Sequence, residues 1–268
     1  MRNQNLINTY DKAFEPFDIA EKIVSIPDSS ELDEILRFFK EYDDFDLAFL
    51  HNGLYQIHSF IPRNANYPEP HPLFPGRVVS KDTNLIELIR FIDKYGFITL
   101  LDGNEVKWLI DWQDLNKSPM TDWVFSHLSL LEKTLKYLVT DFFFGMEEEA
   151  VDLLSKGRQE KVYETYEWLR KRDAETSLLQ CLYFKDCLKI ALKQGWLNAV
   201  LGKEVTKREL NDLIHRLNEL RNKAAHAQHI IEQREDIANL YSDMSILRTL
   251  ILAFDELDSH SVLVEDYD

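Results

Sequence analysis

Glycine, cysteine and positive charge are all in short supply in this chain, and each shortage excludes something. Eight glycines in 268 residues leave little material for loops that cradle phosphates, and neither GxGxxG nor GxxxxGK[ST] occurs. That argues against a dinucleotide-binding Rossmann fold and against a P-loop. The two cysteines, Cys181 and Cys187, stand six apart in a segment with helical patterning. Six residues turn a helix by about 600°, so the thiols face different ways and cannot bridge within it. No CxxC spacing exists, and both are expected to be buried small hydrophobes in a reducing cytoplasm. The opening MRNQNLINTYDKAFEP lacks a signal-peptide core, and no window approaches 18 uninterrupted apolar residues. A cytoplasmic protein without a membrane partner is the expectation. Lys and Arg number 31 against 47 Asp and Glu, a formal net charge of −16, which disfavours broad binding to polyanions.

What the chain does have is apolar material. Hydrophobic residues make up 45% and aromatics 12% of it, enough to bury real cores. The length suggests about two domains, and the first half is organised by a duplication. Residues 24–61 read VSIPDSSELDEILRFFKEYDDFDLAFLHNGLYQIHSFI, and residues 79–115 read VSKDTNLIELIRFIDKYGFITLLDGNEVKWLIDWQDL. Each has a polar cap region, Asp28-Ser29-Ser30 or Asp82-Thr83-Asn84. Each continues with an i, i+3, i+4, i+7 apolar stripe: Leu32, Ile35, Leu36, Phe39 in one, Leu85, Leu88, Ile89, Ile92 in the other. Both then switch to strands around a turn, His51-Asn52-Gly53 in the first copy and Asp102-Gly103-Asn104 in the second. Between the copies, residues 62–76 hold five of the eight prolines and are expected to form an extended connector.

Two strand–helix–strand–strand units, the second running into Asp114-Leu115-Asn116-Lys117, resemble a pair of CBS domains over residues 17–118. The resemblance implies an α+β module whose cleft holds an adenine nucleotide, marked by a Ser or Thr followed three residues later by a ribose-binding Asp. Asp114 matches that Asp, while Asp111 replaces the hydroxyl. In the first repeat Ser59 supplies the hydroxyl and Pro62 stands where the Asp would be. Each marker is thus incomplete, and a second carboxylate repels phosphate. A degenerate module used only for dimerisation is the competing reading.

From Pro119 onward strand alternation gives way to long amphipathic helices, expected over Thr121–Phe144, 146–173, Ser177–Gln194, Lys207–Ala227 and Arg234–Leu257, with an acidic tail over 259–268. Late in the fourth stands Glu219-Leu220-Arg221-Asn222-Lys223-Ala224-Ala225-His226. Arg221, Asn222 and His226 match without substitution the signature of the HEPN domain, which residues 119–258 resemble. An order of CBS pair then HEPN domain also looks like CBS–HEPN fusions. The resemblance implies a homodimer that cleaves RNA without a metal, leaving a 2′,3′-cyclic phosphate, and a toxin or antiviral role with an antitoxin-like partner protein. Its alternative is an inactive, nucleotide-responsive binding and dimerisation protein.

The residue types suit the chemistry. Histidine titrates near neutrality and can move the proton of a 2′-hydroxyl. Arginine offers a fixed donor fork to charge building on phosphoryl oxygens. On a helix Asn222 and His226 share a face, whereas Arg221 and His226 diverge by about 140°. The expectation is therefore a composite site at a two-fold seam and an inactive monomer. The bland reading of the same residues is a histidine favoured by the helix dipole and an arginine paired with Glu219 or another acid. His226, His229 and Glu232 only sketch a metal site, the aromatics Tyr163, Tyr166, Trp168, Tyr183 and Phe184 suggest core, and no serine or cysteine nucleophile is assigned. The charge is uneven: residues 156–234 carry net +5 and every other segment is acidic.

Overall fold

The computed structural model describes residues 2–43, 46–52, 54, 56–63, 69–172 and 175–261. The chain forms two compact units. One takes Met1–Lys12, Thr121–Ile230 and Ser242–Asp268, and the other takes Ala13–Met120 and Ile231–Tyr241. The opening residues, left outside both domains on sequence grounds, form helix α1 (Arg2–Ala13), and most of it belongs with the helical unit.

The other unit is built on two sheets. Strands β1 (Glu21–Lys22) and β2 (Ser25–Pro27) lead into α2 (Leu32–Glu41), β3 (Leu47–His51), β4 (Ile57–Pro62) and β5 (His71–Pro72). Strand β6 (Val78–Val79), α3 (Leu85–Tyr95), β7 (Phe97–Asp102) and β8 (Glu105–Asp111) repeat the pattern. The sheets run β2-β3-β4-β5 and β1-β8-β7-β6. In each, the strand before the helix lies parallel to the strand after it, and that strand pairs antiparallel with the next. The short strand ahead of each repeat pairs with the other repeat's sheet. The proline-rich connector therefore supplies an edge strand, where Pro72 forfeits no needed ladder bond.

The second repeat matches its pattern closely. Asn84 caps α3 by accepting from the Ile86 amide at 2.8 Å, and Leu85, Leu88, Ile89 and Ile92 are all buried. Gly96 ends the helix at φ +84°, a conformation costly for any side chain. The tight turn from Asp102 to Glu105 places Gly103 at φ +65°. Its counterpart after His51 includes Gly53, which lies outside the described residues. There Asn52 Oδ1 accepts from the Leu54 and Gln56 amides. The first helix differs from expectation: α2 buries Ile35 and Phe38, packs Phe39 and Tyr42 beside them, and leaves Leu32 and Leu36 exposed. Both sets obey helical spacing, but the aromatic one wins and turns the helix by roughly 60°. Phe49, Phe60 and Phe97 form a core that joins residues of both sheets.

The helical unit also takes α5 (Glu147–Asp152), α6 (Lys156–Arg170), α7 (Phe184–Lys193), α8 (Trp196–Leu201) and α9 (Lys207–Ala225), with α4 (Ser118–Phe142) from Thr121 and α10 (Asp236–Ser261) from Ser242. The helix expected over 146–173 is broken at Leu153–Ser155, and Ser155 is extended as the N-cap of α6. The segment from Ser177 forms only a short turn over Leu179–Cys181 before α7. Cys181 and Cys187 are free and buried, and burial pushes the Cys187 thiol up to about 12. Helix α8 lies between Gly195 at its N-cap and Gly202 at its C-cap. Helix α10 is apolar enough over Asp236–Leu257 to cross a membrane by length and composition, yet Met244, Leu247, Leu250, Ile251 and Phe254 are buried in the protein. Residues 259–261 finish α10, and the rest of the acidic tail lies outside the described residues.

Candidate functional site

Two groups of the residues singled out from the sequence occupy defined surroundings, one in each unit. In the sheet unit a cavity of about 470 Å³ opens where β8 ends beside the start of β3. Asp111 and Asp114 line it with Glu21, Asp46, Phe49 and Lys117. The two aspartates first of all build a turn. Asp114 Oδ2 accepts from the Asp111 amide at 2.8 Å, and Asp111 Oδ1 accepts from the Gln113 amide at 2.7 Å. Lys117 then ties the turn to β1, meeting Asp114 Oδ1 at 2.7 Å and donating to Glu21 Oε1 at 2.8 Å. Burial raises the Asp114 carboxyl to about 6 against the pull of Lys117, and burial raises Asp111 as well.

Among the lining residues, four carboxylates face two lysines, Lys22 and Lys117. Such a lining accepts hydrogen bonds from the hydroxyls of a sugar and resists a phosphate. Ser59 does not join it. Ser59 is buried on β4, is absent from the cavity lining, and its Oγ finds no partner among the described residues. The ladders explain why. Leu47 pairs with Pro62 where Phe97 pairs with Asp111, so Pro62 occupies the place of Asp111 in the first repeat. Ser59 instead pairs with Leu50, as Trp108 pairs with Leu100. Aligning the repeats by residue type had slipped the first copy by three positions.

In the helical unit, Thr206 starts α9 with a capping box to Glu209. Leu210, Leu213, Ile214, Leu217, Leu220 and Ala224 form its buried face. The opposite stripe, His215, Glu219, Asn222 and His226, is exposed. His215 Nδ1 and Glu219 Oε2 lie 3.2 Å apart on it, so Glu219 is engaged away from Arg221. His226 is the C-cap. The Gln228 amide bonds the Lys223 carbonyl at 2.9 Å and the Ala227 amide bonds that of Ala224 at 3.2 Å. This paired closure requires the left-handed backbone that Ala227 takes at φ +50°.

Arg221 faces another way. It is half-buried, with a guanidinium nitrogen 3.6 Å from Glu132 on α4, and its Nε is buried without a partner among the described residues. Glu132 also meets Lys136 one turn later, at 3.5 Å. Within one chain, then, Asn222 and His226 are exposed one turn apart, and Arg221 is directed instead toward Glu132. Glu132 is the residue that sequence reasoning missed. Its spacing to Lys136 is visible in the sequence, but nothing local pairs it with a residue 89 positions away. Among the described residues no group of three or more histidine, cysteine or acidic side chains could hold a metal, so His226, His229 and Glu232 do not assemble as sketched.

Comparison with known proteins adds little to this geometry. No protein-family model and no curated protein match the chain. One solved structure, an uncharacterized conserved protein from Pyrococcus horikoshii, aligns with 35% of this chain and 81% of its own at 15% identity and a TM-score of 0.30. At that score the likeness carries no argument. The reading of the site rests on its residues.

Proposed function

We propose that the protein is a metal-independent endoribonuclease of the HEPN type, acting as a homodimer, with a CBS-type module that takes an adenine nucleotide or steadies the dimer. The observation that carries the reading is the placement of Asn222 and His226 one turn apart and exposed at the end of α9, next to Arg221. In this reading His226 accepts the proton of a ribose 2′-hydroxyl as its oxygen attacks the adjacent phosphorus. The bond to the 5′-oxygen breaks, that oxygen takes up a proton, and a 2′,3′-cyclic phosphate remains. Asn222 orients the imidazole or the phosphate, and an arginine meets the charge on the phosphoryl oxygens.

Because Arg221 turns away from its own His226, the arginine that completes the site comes from a second copy. Exposed Tyr137, Phe142, Phe144 and Met146 around the end of α4 supply apolar surface suited to such an association. The decisive test incubates purified protein with single-stranded and transfer RNA in EDTA, beside His226→Ala and Arg221→Ala. Cleavage by the wild type that is lost in both variants supports the enzyme. RNA left intact, with and without adenine nucleotides, overturns it.

A second reading has its own observation. Glu132 holds Arg221 in a half-buried pair, as expected of a structural arginine in a non-catalytic, nucleotide-responsive dimerisation protein. For the module, Asp111 and Asp114 would meet the ribose hydroxyls. A thermal-shift panel of adenine nucleotides checks this, and a melting temperature that no nucleotide moves would sink it.

A further inference from the structure

At the start of β7 an aromatic floor carries an arginine that no acid among the described residues pairs with. Arg77 closes the short turn Pro75–Arg77. Its guanidinium carbon lies 4.3 Å from the Phe97 ring centre, 5.1 Å from that of Phe60 and 5.7 Å from that of Tyr95. A second arginine reaches the same place from the segment ahead of α10. A guanidinium nitrogen of Arg234 stands 3.0 Å from where a Cβ on Gly96 would be, and Gly96 lies between Tyr95 and Phe97. Two features of glycine are used there at once: the positive φ that ends α3 and the room for a guanidinium.

Neither arginine side chain makes a hydrogen bond or an ion pair among the described residues. That is unusual in a chain whose 47 carboxylates outnumber its 31 lysines and arginines. Partial burial pulls Arg77 below the ordinary arginine range; Tyr95 opposes it, and the neighbouring charge of Arg234 adds a smaller pull in the same direction as burial. Two like charges held together in this way favour any dianion that can sit between them. A guanidinium held against aromatic rings leaves its N–H donors available to the oxygens of an anion. The cavity beside Asp111 and Asp114 offers the opposite, a surplus of carboxylates.

We infer that Arg77 and Arg234 form an oxyanion site that takes the phosphate of a small phosphorylated molecule, with the Phe60, Tyr95 and Phe97 rings fixing one guanidinium and Gly96 admitting the other. The site shares no residue with the Asp111–Asp114 cavity or with α9, and it stands whether or not the protein cleaves RNA. It moves the anion-binding function of the module to residues that the repeat pattern does not mark. Arg234 also follows His226 by only eight positions, so an anion held there fixes the segment that leaves α9.

Calorimetric titration of the full-length protein tests it, with inorganic phosphate, pyrophosphate and ribose 5-phosphate at an ionic strength held constant with chloride. The expected result is saturable binding that weakens about tenfold or more in Arg234→Gln and disappears in the Arg77→Gln/Arg234→Gln double variant. Arg90→Gln, which removes an exposed charge paired with Glu87 in the same unit, should bind as the wild type does. Arg234 is exposed, so its single variant remains informative if the double variant folds poorly. Tighter binding of ribose 5-phosphate than of phosphate identifies a sugar phosphate, and equal binding identifies the phosphoryl group alone. Absence of saturable binding by all three probes, or undiminished binding in Arg234→Gln, overturns the assignment. Neither result depends on RNA cleavage, so the ribonuclease reading can fail or hold independently.

Discussion

Asp114 shows how one side chain can hold a turn together and still weaken it. Its carboxylate accepts an amide and meets Lys117, yet burial leaves its pKa at about 6, above the usual 3.8. The folded state therefore holds this proton more tightly than the unfolded chain. The group favours folding most below pH 4, and that advantage is lost as pH rises through about 4 to 6 and stays lost above it. Asparagine keeps an oxygen for the Asp111 amide and does not titrate. Asp114→Asn should therefore gain melting temperature relative to the wild type between pH 4 and 7. A difference between the two proteins that stays constant over that range would contradict the assignment. This aspartate was legible in the sequence as a candidate, through its spacing from Asp111. Its tie to Lys117 sits within the same run of four residues. The link on to Glu21 was not legible, because it joins residues 96 positions apart.

At the scale of elements, legibility followed redundancy. The α3 stripe was unambiguous because cap, apolar spacing and terminal glycine agree. The α2 stripe was ambiguous, since Leu32–Ile35–Leu36–Phe39 and Ile35–Phe38–Phe39–Tyr42 have the same spacing. Packing against Ala48, Leu50 and Ile61 chose the second. The strand exchange between repeats was hidden because β1 and β5 are two residues long, too short to show alternation. Helix α9 was nearly right, two residues too long, because its stop signal carries alanine where glycine is usual. Ala227 holds the left-handed position at φ +50°. A Cβ there costs about 1–2 kcal/mol, partly offset by the greater unfolded-state freedom of glycine. Ala227→Gly should accordingly stabilise the protein by about 0.5–1 kcal/mol in urea unfolding. A loss of stability would mean that the alanine methyl makes a contact worth more than the strain.

For the whole molecule the question is how a single helix can present a histidine outward and an arginine inward and still make one site. Helix geometry sets the two about 140° apart, and the Arg221–Glu132 pair keeps the arginine turned toward α4. In the proposed homodimer two-fold symmetry offers a resolution, because an isologous contact would bring the arginine of each copy to the histidine of the other and make two equivalent sites. Mixing the two inactive variants then becomes a direct test. Co-refolded His226→Ala and Arg221→Ala chains assort at random, so about half of the dimers are mixed. In each mixed dimer one site joins the intact arginine of one chain to the intact histidine of the other, while the second site lacks both. Cleavage should return to about one quarter of the wild-type level, although each variant alone has none. If arginine and histidine instead act within one chain, no mixed dimer has a complete site and nothing returns. Full wild-type activity after mixing would contradict both arrangements, because it would require two complete sites in dimers that can hold only one.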